Sequence, residues 1–317
     1  MMKKIGIIGL GVIGQRLIKQ FQESNEIEIY AICDTNEQLV LETAKQLANV
    51  HSYTDYKLLI QLPEIDLIYI AVPPSLHNEI SIYAIQHSKH ILCEKPLANS
   101  LEEAEEMKEK AKQSGIIHAI HFPLAYSFPF WELKKMLNDG MLGEVKRATL
   151  KMHFHEWPRP WQKTNWIGKK FQGGFIREIM PHYLQMLIHL FGNDAKVTYA
   201  EIDYPNDEVS SETSVVATLQ WKNGFKLVVD GYVGSAEEEH LQFVIHGTEA
   251  SVSLENWREF KKANKGGAFQ KVNEGAPLSL ISELNKELNG ENGFIINFEE
   301  GYYVQKLLEG ILHFNQK

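Results

Sequence analysis

Apolar and polar positions alternate in two different periods along the first part of the chain. Short apolar runs, each long enough for one buried strand, occupy residues 4–8, 26–33, 65–72, 90–93 and 116–122. The segments between them carry apolar residues at helical spacing, as Ile13, Leu17 and Phe21 do within residues 12–24. Strands that alternate with helices predict βαβ units, so we expect a doubly wound parallel sheet of five strands over residues 1–122.

After residue 122 the pattern changes to longer strands of alternating polarity. Six strands are predicted over residues 144–155, 196–204, 213–221, 225–233, 240–246 and 250–254. Most follow one another without an intervening helix, and Asn223-Gly224 is a strong hairpin signal. Residues 123–317 are therefore predicted to form an α+β domain with a large open antiparallel sheet.

The rest of this second part contains helices and one loop. Helices are predicted near residues 131–138 and over 181–191, where Pro181 fits the first helical position. The polar stretch 261–275 is predicted to be a mobile loop. A last helix, about 298–317, could pack back on the first domain.

The length of 317 residues fits two domains of ordinary size. Lys and Arg number 32 against 41 Asp and Glu, a formal net charge of −9, and no basic block occurs, so nucleic acid is not an expected partner. The sequence contains no run of about 18 apolar residues, so a membrane-spanning helix and a membrane partner are not expected. Two cysteines suit a reducing compartment. We expect a cytoplasmic protein whose N-terminal apolar stretch belongs to the fold and not to a secretory signal.

The sequence Gly9-Leu10-Gly11-Val12-Ile13-Gly14 follows the first predicted strand and opens the first predicted helix. Glycines at this spacing let the backbone approach a pyrophosphate, whose charge is stabilised by the helix N-terminus. Asp34 ends the next strand, where a carboxylate accepts hydrogen bonds from the ribose of a dinucleotide. The pattern therefore predicts an N-terminal Rossmann domain that binds a nicotinamide dinucleotide.

Asp34 also bears on which dinucleotide binds. A carboxylate at this position repels a 2′-phosphate. The next four residues are Thr35, Asn36, Glu37 and Gln38, and none of them is a cation that could hold that phosphate. We therefore expect NAD as the cofactor, in preference to NADP.

Two further motifs contain residues suited to acid–base chemistry. Glu94-Lys95-Pro96 follows the fourth predicted strand, at the edge where doubly wound sheets bind ligands, and a lysine there can donate to a substrate oxygen. His182 follows Pro181 in the first turn of a predicted helix, whose positive end favours a neutral imidazole able to accept a proton. Glu178 lies four residues earlier. Taken singly, an exposed lysine and a structural histidine are the simpler interpretations.

In combination and in this order, the motifs resemble those of the Gfo/Idh/MocA family, which includes glucose–fructose oxidoreductase and inositol dehydrogenase. The resemblance rests on Gly9–Gly14 with Asp34, on Glu94-Lys95-Pro96, and on Gly173-Gly174 followed by Glu178 and His182. It implies an NAD(P)-dependent dehydrogenase or reductase acting on a CH–OH group of a sugar, cyclitol or related polyol. It also implies Lys95, Glu178 and His182 as the catalytic set, with Glu178 where the family usually has Asp.

The resemblance implies further contacts. Residues expected to bind the cofactor are Gly9, Gly11, Val12, Ile13, Gly14, Asp34, Thr35, Val72, Pro73, Pro74, His77, Glu94 and Lys95. Candidate substrate contacts are His121, Tyr126, Trp161, Trp166 and Arg177. No metal site is expected, and His153 and His155 are better explained by a structural or substrate-lining role. Sheets of this kind commonly pair in the family, which implies a homodimer or homotetramer formed through the C-terminal sheet.

The chain departs from the family pattern near His182. Phe175 and Met180 stand where the family usually has glycine, and Gln185 stands where it has Asp. We expect the two larger residues to fill space near the substrate, which need not be a plain inositol or hexose.

Two other functions are compatible with these motifs. A hydrolase or lyase that retains its NAD would oxidise the substrate only transiently. A non-catalytic NAD-bound sensor or regulator would need the dinucleotide site alone. The presence of Lys95 and His182 favours the dehydrogenase or reductase.

Overall fold

The computed structural model describes residues 2–162 and 164–314, and the chain divides into two compact units. The first unit comprises Met1–Phe122 and Leu278–Tyr302, and the second comprises Pro123–Pro277 and Tyr303–Lys317. The sequence analysis placed residues 278–297 in the second domain, whereas the structure places them in the first unit.

A six-stranded parallel sheet forms the centre of the first unit. Its strands are β1 (Lys3–Ile8), β2 (Ile27–Cys33), β3 (His51–Tyr53), β4 (Leu67–Ile70), β5 (His90–Glu94) and β6 (His118–His121). The helices between them are α1 (Val12–Ser24), α2 (Glu37–Ala44), α3 (Tyr56–Ile60), α4 (His77–Gln86) and α5 (Leu101–Ser114). The strand order is β3-β2-β1-β4-β5-β6, so the order reverses between β1 and β4. This confirms the predicted doubly wound sheet and places its ligand-binding crevice at the carboxyl ends of those two strands.

The prediction of five strands missed β3. His51–Tyr53 is a strand of three residues at the edge of the sheet, and its side chains are largely exposed. No apolar run marks such a strand, whereas every residue of β4 is buried. Burial on both faces of the sheet is what made the central strands recognisable.

An eight-stranded sheet forms the centre of the second unit. In chain order the elements are α6 (Phe128–Asn138), β7 (Val145–Phe154), α7 (Phe175–Phe191), β8 (Lys196–Asp203), β9 (Ser214–Gln220), β10 (Lys226–Val233), β11 (His240–Gly247), β12 (Ala250–Glu255), β13 (Glu259–Asn264) and β14 (Gln270–Lys271). The strand order is β14-β13-β12-β11-β7-β10-β9-β8. All neighbours are antiparallel except β7 and β10, which run parallel. The predicted α+β domain with a large open sheet is confirmed, with this one parallel pair as a refinement.

Two local predictions in this unit were wrong. The stretch 261–275 is not a single loop, because it holds the end of β13 and the short strand β14 that pairs with it. The helix α7 begins at Phe175, six residues before the predicted start at Pro181. It packs on the sheet, since the ring of Phe175 lies 5.6 Å from that of Phe154 and the ring of Tyr183 lies 5.1 Å from that of Phe243.

The chain then contributes two C-terminal helices, α8 (Leu280–Leu288) and α9 (Phe298–Leu312). Within the first unit, the Ile120 N–H donates to the Ile296 carbonyl oxygen at 2.7 Å, and the Phe298 N–H donates to His118 Nδ1 at 3.1 Å. This returning segment covers the edge strand β6, which would otherwise present unpaired backbone groups. None of the helices within residues 2–162 and 164–314 has the length and apolar character needed to cross a bilayer.

Candidate active site

The glycine loop between β1 and α1 is shaped by close backbone contacts. Gly9 has φ +97°, and a Cβ there would overlap the Ala71 carbonyl oxygen at the end of β4. A Cβ on Gly14 would overlap the carbonyl oxygen of Gly9. A Cβ on Gly11 would meet no atom within 4 Å, so that position faces open space. Gly11 is also the N-cap of α1 and supplies no side-chain cap, so the first-turn N–H groups suit an anion.

Asp34 is fixed beside this loop. One carboxylate oxygen accepts from the Leu10 N–H at 2.8 Å, and the other accepts from the Asn36 N–H at 2.9 Å. Asn36 caps α2, because its side chain accepts from the Leu39 N–H. The carboxylate therefore stands in a set orientation at the carboxyl end of β2, and each oxygen keeps a lone pair for a ribose hydroxyl.

His77 joins two loops at the same edge of the sheet. Its Nδ1 lies 2.9 Å from the Pro96 carbonyl oxygen, and its Nε2 lies 2.9 Å from the Val72 carbonyl oxygen. Burial lowers the pKa of the ring and outweighs the raising effect of the two carbonyls. A neutral imidazole has one N–H, so it donates to one of these oxygens at a time. His77 is fully buried, so we keep it as a residue that positions both loops and not as a cofactor contact.

Glu94 is the centre of a buried hydrogen-bonded cluster. The Tyr69 hydroxyl donates to its Oε1 at 2.7 Å, and His121 Nδ1 lies 2.6 Å from the same oxygen. Burial alone would raise the pKa of Glu94, but attraction to His121, the hydrogen bonds from His121 and Tyr69, and the Lys95 charge together lower it. Glu94 is therefore ionised at neutral pH, directly before Lys95, and its side chain is engaged by protein groups.

The start of α7 carries the second candidate group. Gly174 is its N-cap, with φ +100°, and provides no side-chain hydrogen bond. The carboxylate of Glu212 takes that role, because its Oε1 accepts from the Ile176 N–H at 2.7 Å. Glu212 is buried, and burial raises its pKa to about 7 against the lowering effect of that N–H.

The position of His182 differs from the prediction. Because α7 begins at Phe175, Pro181 lies inside the helix and His182 lies beyond the first turn. The field of a helix N-terminus decays within about one turn, so the predicted effect of the helix start on this imidazole does not apply. The earlier start has another effect: Glu178 and His182 now share one helix, and a spacing of four residues places them on the same face.

Two family profiles match the chain over most of its length. The one described as "Oxidoreductase family, NAD-binding Rossmann fold" matches residues 3–122, and the GFO/IDH/MocA C-terminal domain matches residues 130–253. The chain belongs to the Gfo/Idh/MocA family. It is therefore an oxidoreductase with an NAD-binding domain, as the motifs predicted.

Relatives within the Gfo/Idh/MocA family are distant in sequence and close in fold. Myo-inositol 2-dehydrogenase of Thermotoga maritima is 25% identical over 260 residues, which cover 81% of this chain and 76% of that protein. The scyllo-inositol 2-dehydrogenase (NADP(+)) of Bacillus subtilis is 24% identical over 250 residues, 78% of this chain and 67% of that protein. A solved levoglucosan dehydrogenase in complex with NADH superposes with a TM-score of 0.85 at 23% identity, covering 99% of this chain and 96% of that one. This last likeness shows the fold.

Three of the four residues that depart from the Gfo/Idh/MocA pattern are core residues. Phe175, Met180 and Gln185 are completely buried. The Phe175 ring packs against Phe154, and a Cβ on Gly231 would overlap it. The Phe175 side chain therefore fills space inside the second unit, and a role of Phe175 and Met180 near the substrate stays a prediction.

The five candidate substrate contacts fall into different environments. His121 is held by Glu94, Tyr126 is buried in a short 3₁₀ helix, and Trp166 is half-buried. Trp161 is 46% exposed. The guanidinium of Arg177 is buried and lies 2.6 Å from Glu309 Oε1 in α9, so an acidic residue of the protein already holds it.

The two histidines considered for metal have other partners. His153 Nε2 lies 3.0 Å from Asp230 Oδ2, and His155 Nδ1 lies 3.0 Å from the Ser235 carbonyl oxygen. Within the part of the chain that the structure describes, no group of His, Cys, Asp or Glu is arranged to hold a metal ion.

Three residues that contact the candidate groups or their elements were not predicted: Tyr69 in the first unit, and Glu212 and Trp257 in the second. A usable signal existed for Tyr69, because a tyrosine in an otherwise aliphatic buried strand needs a partner for its hydroxyl. No local signal marks Glu212, which caps a helix 36 residues earlier in the chain. The ring of Trp257 lies 5.2 Å from that of His182, and only the fold brings the two together.

Proposed function

We propose that this chain is an NAD-dependent dehydrogenase or reductase for a hydroxyl or carbonyl group of a sugar, cyclitol or related polyol. The observation that carries the proposal is the ionised Glu94 directly before Lys95, at the same sheet edge as the glycine loop. A lysine at this edge of the sheet, directly after a buried carboxylate, can donate to a substrate oxygen. The names of the inositol and levoglucosan relatives support the substrate class.

The first unit offers residues that fit a nicotinamide dinucleotide. The open position at Gly11 and the uncapped start of α1 suit the pyrophosphate, and Asp34 suits the adenosine ribose. Val12 and Ile13 begin α1, and Thr35, Val72 and Pro73 lie in loops. All five keep exposed surface, whereas Pro74 is buried. The fixed carboxylate of Asp34, with no cation among residues 35–38, supports NAD over NADP. When bound, the nicotinamide supplies a site that accepts or returns a hydride.

The chain's own residues handle the proton and the developing charge. Lys95 donates to the reacting substrate oxygen and stabilises negative charge there. His182 accepts the hydroxyl proton as general base during oxidation and returns it during reduction. Glu178, on the same face of α7, orients His182.

The Glu94–His121 pair adds a second polar group beside Lys95. A carboxylate can only accept, so His121 Nδ1 must carry the hydrogen in their 2.6 Å contact. The contact therefore places a hydrogen on Nδ1, so Nε2 is the ring nitrogen that we propose contacts a substrate hydroxyl. Tyr69 helps by holding the same carboxylate oxygen.

The decisive experiment combines cofactor binding with turnover. NADH fluorescence titration should give tighter binding than NADPH, and a screen of polyols, sugars and keto-sugars should change NADH absorbance. Lys95→Ala should lower turnover at least about 10²-fold, the low end for acid–base and electrostatic groups, with NADH binding retained. Lys110→Ala, an exposed lysine of α5, is the matched control and should behave as wild type.

Three outcomes would contradict parts of this function. Equal binding of NADPH would contradict the NAD preference. Near-normal turnover of Lys95→Ala would contradict the catalytic assignment. Product formation without net NADH change would indicate the NAD-retaining hydrolase or lyase instead.

The outer face of the C-terminal sheet supports a proposed homodimer or homotetramer. Val216 of β9 and Tyr232 of β10 point away from the buried face, and they are 46% and 45% exposed. Large apolar side chains at neighbouring exposed positions of a sheet are typical of an interface between protein chains.

A further inference from the structure

The turn between β12 and β13 holds a tryptophan in a backbone conformation that its side chain disfavours. Asn256 has φ 45° and Trp257 has φ 72°, and the Arg258 N–H donates to the Glu255 carbonyl oxygen at 3.1 Å. Two central residues with positive φ define a type I′ turn, which favours Asn or Gly at both positions. Asn256 fits this rule and Trp257 breaks it.

Asn256 fastens this turn to the neighbouring strand β11. Its N–H donates to the Leu241 carbonyl oxygen at 2.8 Å, and its side-chain oxygen accepts from the Leu241 N–H at 3.1 Å. The turn therefore cannot relax easily by swinging away from the sheet. A bulky residue kept at positive φ by its surroundings is often found where function requires it.

The strained backbone places the Trp257 indole against α7. Its ring stacks on Tyr183, with centroids 5.7 Å apart and planes at 29°. It meets the His182 ring edge-to-face, with centroids 5.2 Å apart and planes at 89°. His182 and Tyr183 are buried, whereas the indole is half-exposed, so Trp257 forms part of the cover over His182. All three residues belong to the second unit.

We propose that Trp257 is a positioning residue for His182, fixing the plane of the imidazole and limiting its contact with water. The proposal rests on the proposed function, in which His182 is the general base. A base must hold its ring within a narrow range of orientations to take a proton in the transition state. Aromatic pairs prefer the edge-to-face arrangement seen here, so the indole supplies a directional contact that an aliphatic side chain cannot.

The test compares Trp257→Phe with Trp257→Leu. Both replacements carry a Cβ at the same positive φ, so they share the backbone cost and differ in the aromatic ring. In Trp257→Leu, kcat should fall at least about tenfold with KM little changed, as misorientation of a catalytic group predicts. Trp257→Phe should restore most of kcat. Arg258→Ala, an exposed residue of the same turn, is the control and should match wild type.

A second readout needs no substrate. In protein labelled at histidine Cε1, the His182 resonance is assigned by its loss in His182→Ala. At fixed pH it should move in Trp257→Leu and stay near the wild-type position in Trp257→Phe, because an aromatic ring at this distance shifts its neighbour's signal. If Trp257→Leu does not fold, Trp257→Gly replaces it, since glycine adopts this φ readily.

The outcomes separate the two proposals. Wild-type kcat and an unmoved His182 resonance in Trp257→Leu would overturn the role of Trp257, while loss of turnover in His182→Ala would leave the proposed function intact. Normal turnover in His182→Ala would instead remove His182 as the base and, with it, the catalytic role of Trp257.

Discussion

Replacing Glu212 by glutamine tests how the second unit holds the start of α7. Glu212 caps the helix from a distance, through the 2.7 Å hydrogen bond to the Ile176 N–H. Glutamine keeps an oxygen for that N–H and removes the ionisable group. Burial raises the pKa of Glu212 from 4.5 to about 7. The folded state therefore holds this proton more tightly than the unfolded chain does.

The sign and size of the effect follow from linkage. A raised carboxyl pKa contributes stability that is complete below pH 4.5 and is lost as pH rises through 7. At about 1.4 kcal/mol per pKa unit, the wild type should lose about 2.5 kcal/mol from this group between pH 5 and pH 8. Glu212→Gln lacks this loss, so its stability relative to wild type should improve by that amount over the same interval.

Thermal unfolding at pH 5 and pH 8 measures the difference. For 317 residues that unfold together, the Tm gap between Glu212→Gln and wild type should move by about 4 °C in favour of the variant at pH 8. Glu238→Gln, which neutralises an exposed carboxylate of the same unit, should show almost no such change. A Tm gap for Glu212→Gln that is the same at both pH values would refute the reasoning, because the carboxyl would then not be protonated on folding.

Two further predictions concern the Glu94 cluster and the sheet face. Tyr69→Phe removes the hydroxyl that donates to Glu94 and should lower the free energy of unfolding by about 1.5–3 kcal/mol, the range for a hydrogen bond to a charged group. The lowered pKa of Glu94 contributes stability that is lost as pH falls, so on acidification the Tm of this variant should begin to fall at a higher pH than that of wild type. A Tm that falls at the same pH in both proteins would contradict the role of Tyr69 in the cluster. Val216→Arg should reduce the molar mass measured by light scattering, because it places a charge on the proposed interface; a wild-type protein that is already monomeric would contradict that interface.

The dinucleotide half of the site was the more predictable one. The glycine loop and Asp34 depend on local spacing along βαβ units, and each βα connection fixes where its strand ends. Predicting the Glu94 cluster would also have required the pairing register of the strands. Glu94 and His121 face each other across β5 and β6, and Tyr69 comes from β4 on the other side. Apolar runs locate strands, but they do not state which residues of neighbouring strands meet.

The error at Pro181 has a non-local cause. Proline favours the first turn of a helix, and the six residues before it include Phe175, Ile176 and Ile179, which are weak helix formers. In the structure these residues are helical because their side chains are buried and because Glu212 caps the helix. Tertiary packing therefore overrides local propensity here, at the expense of the hydrogen bond that proline cannot donate.

The same helix explains how the environment of His182 can change without changes in α7. His182 lies beyond the first turn of α7, where the field of the helix start has decayed. The groups that contact the start of α7 and His182 come from connections between strands of the sheet. Glu212 reaches the start of the helix from the residues before β9, and Trp257 reaches His182 from the turn after β12. Loops accept substitutions that strands and buried helices do not. Replacements at Trp257 would therefore alter the surroundings of the proposed base, and replacements at Glu212 would alter the start of its helix, while leaving the sheet intact.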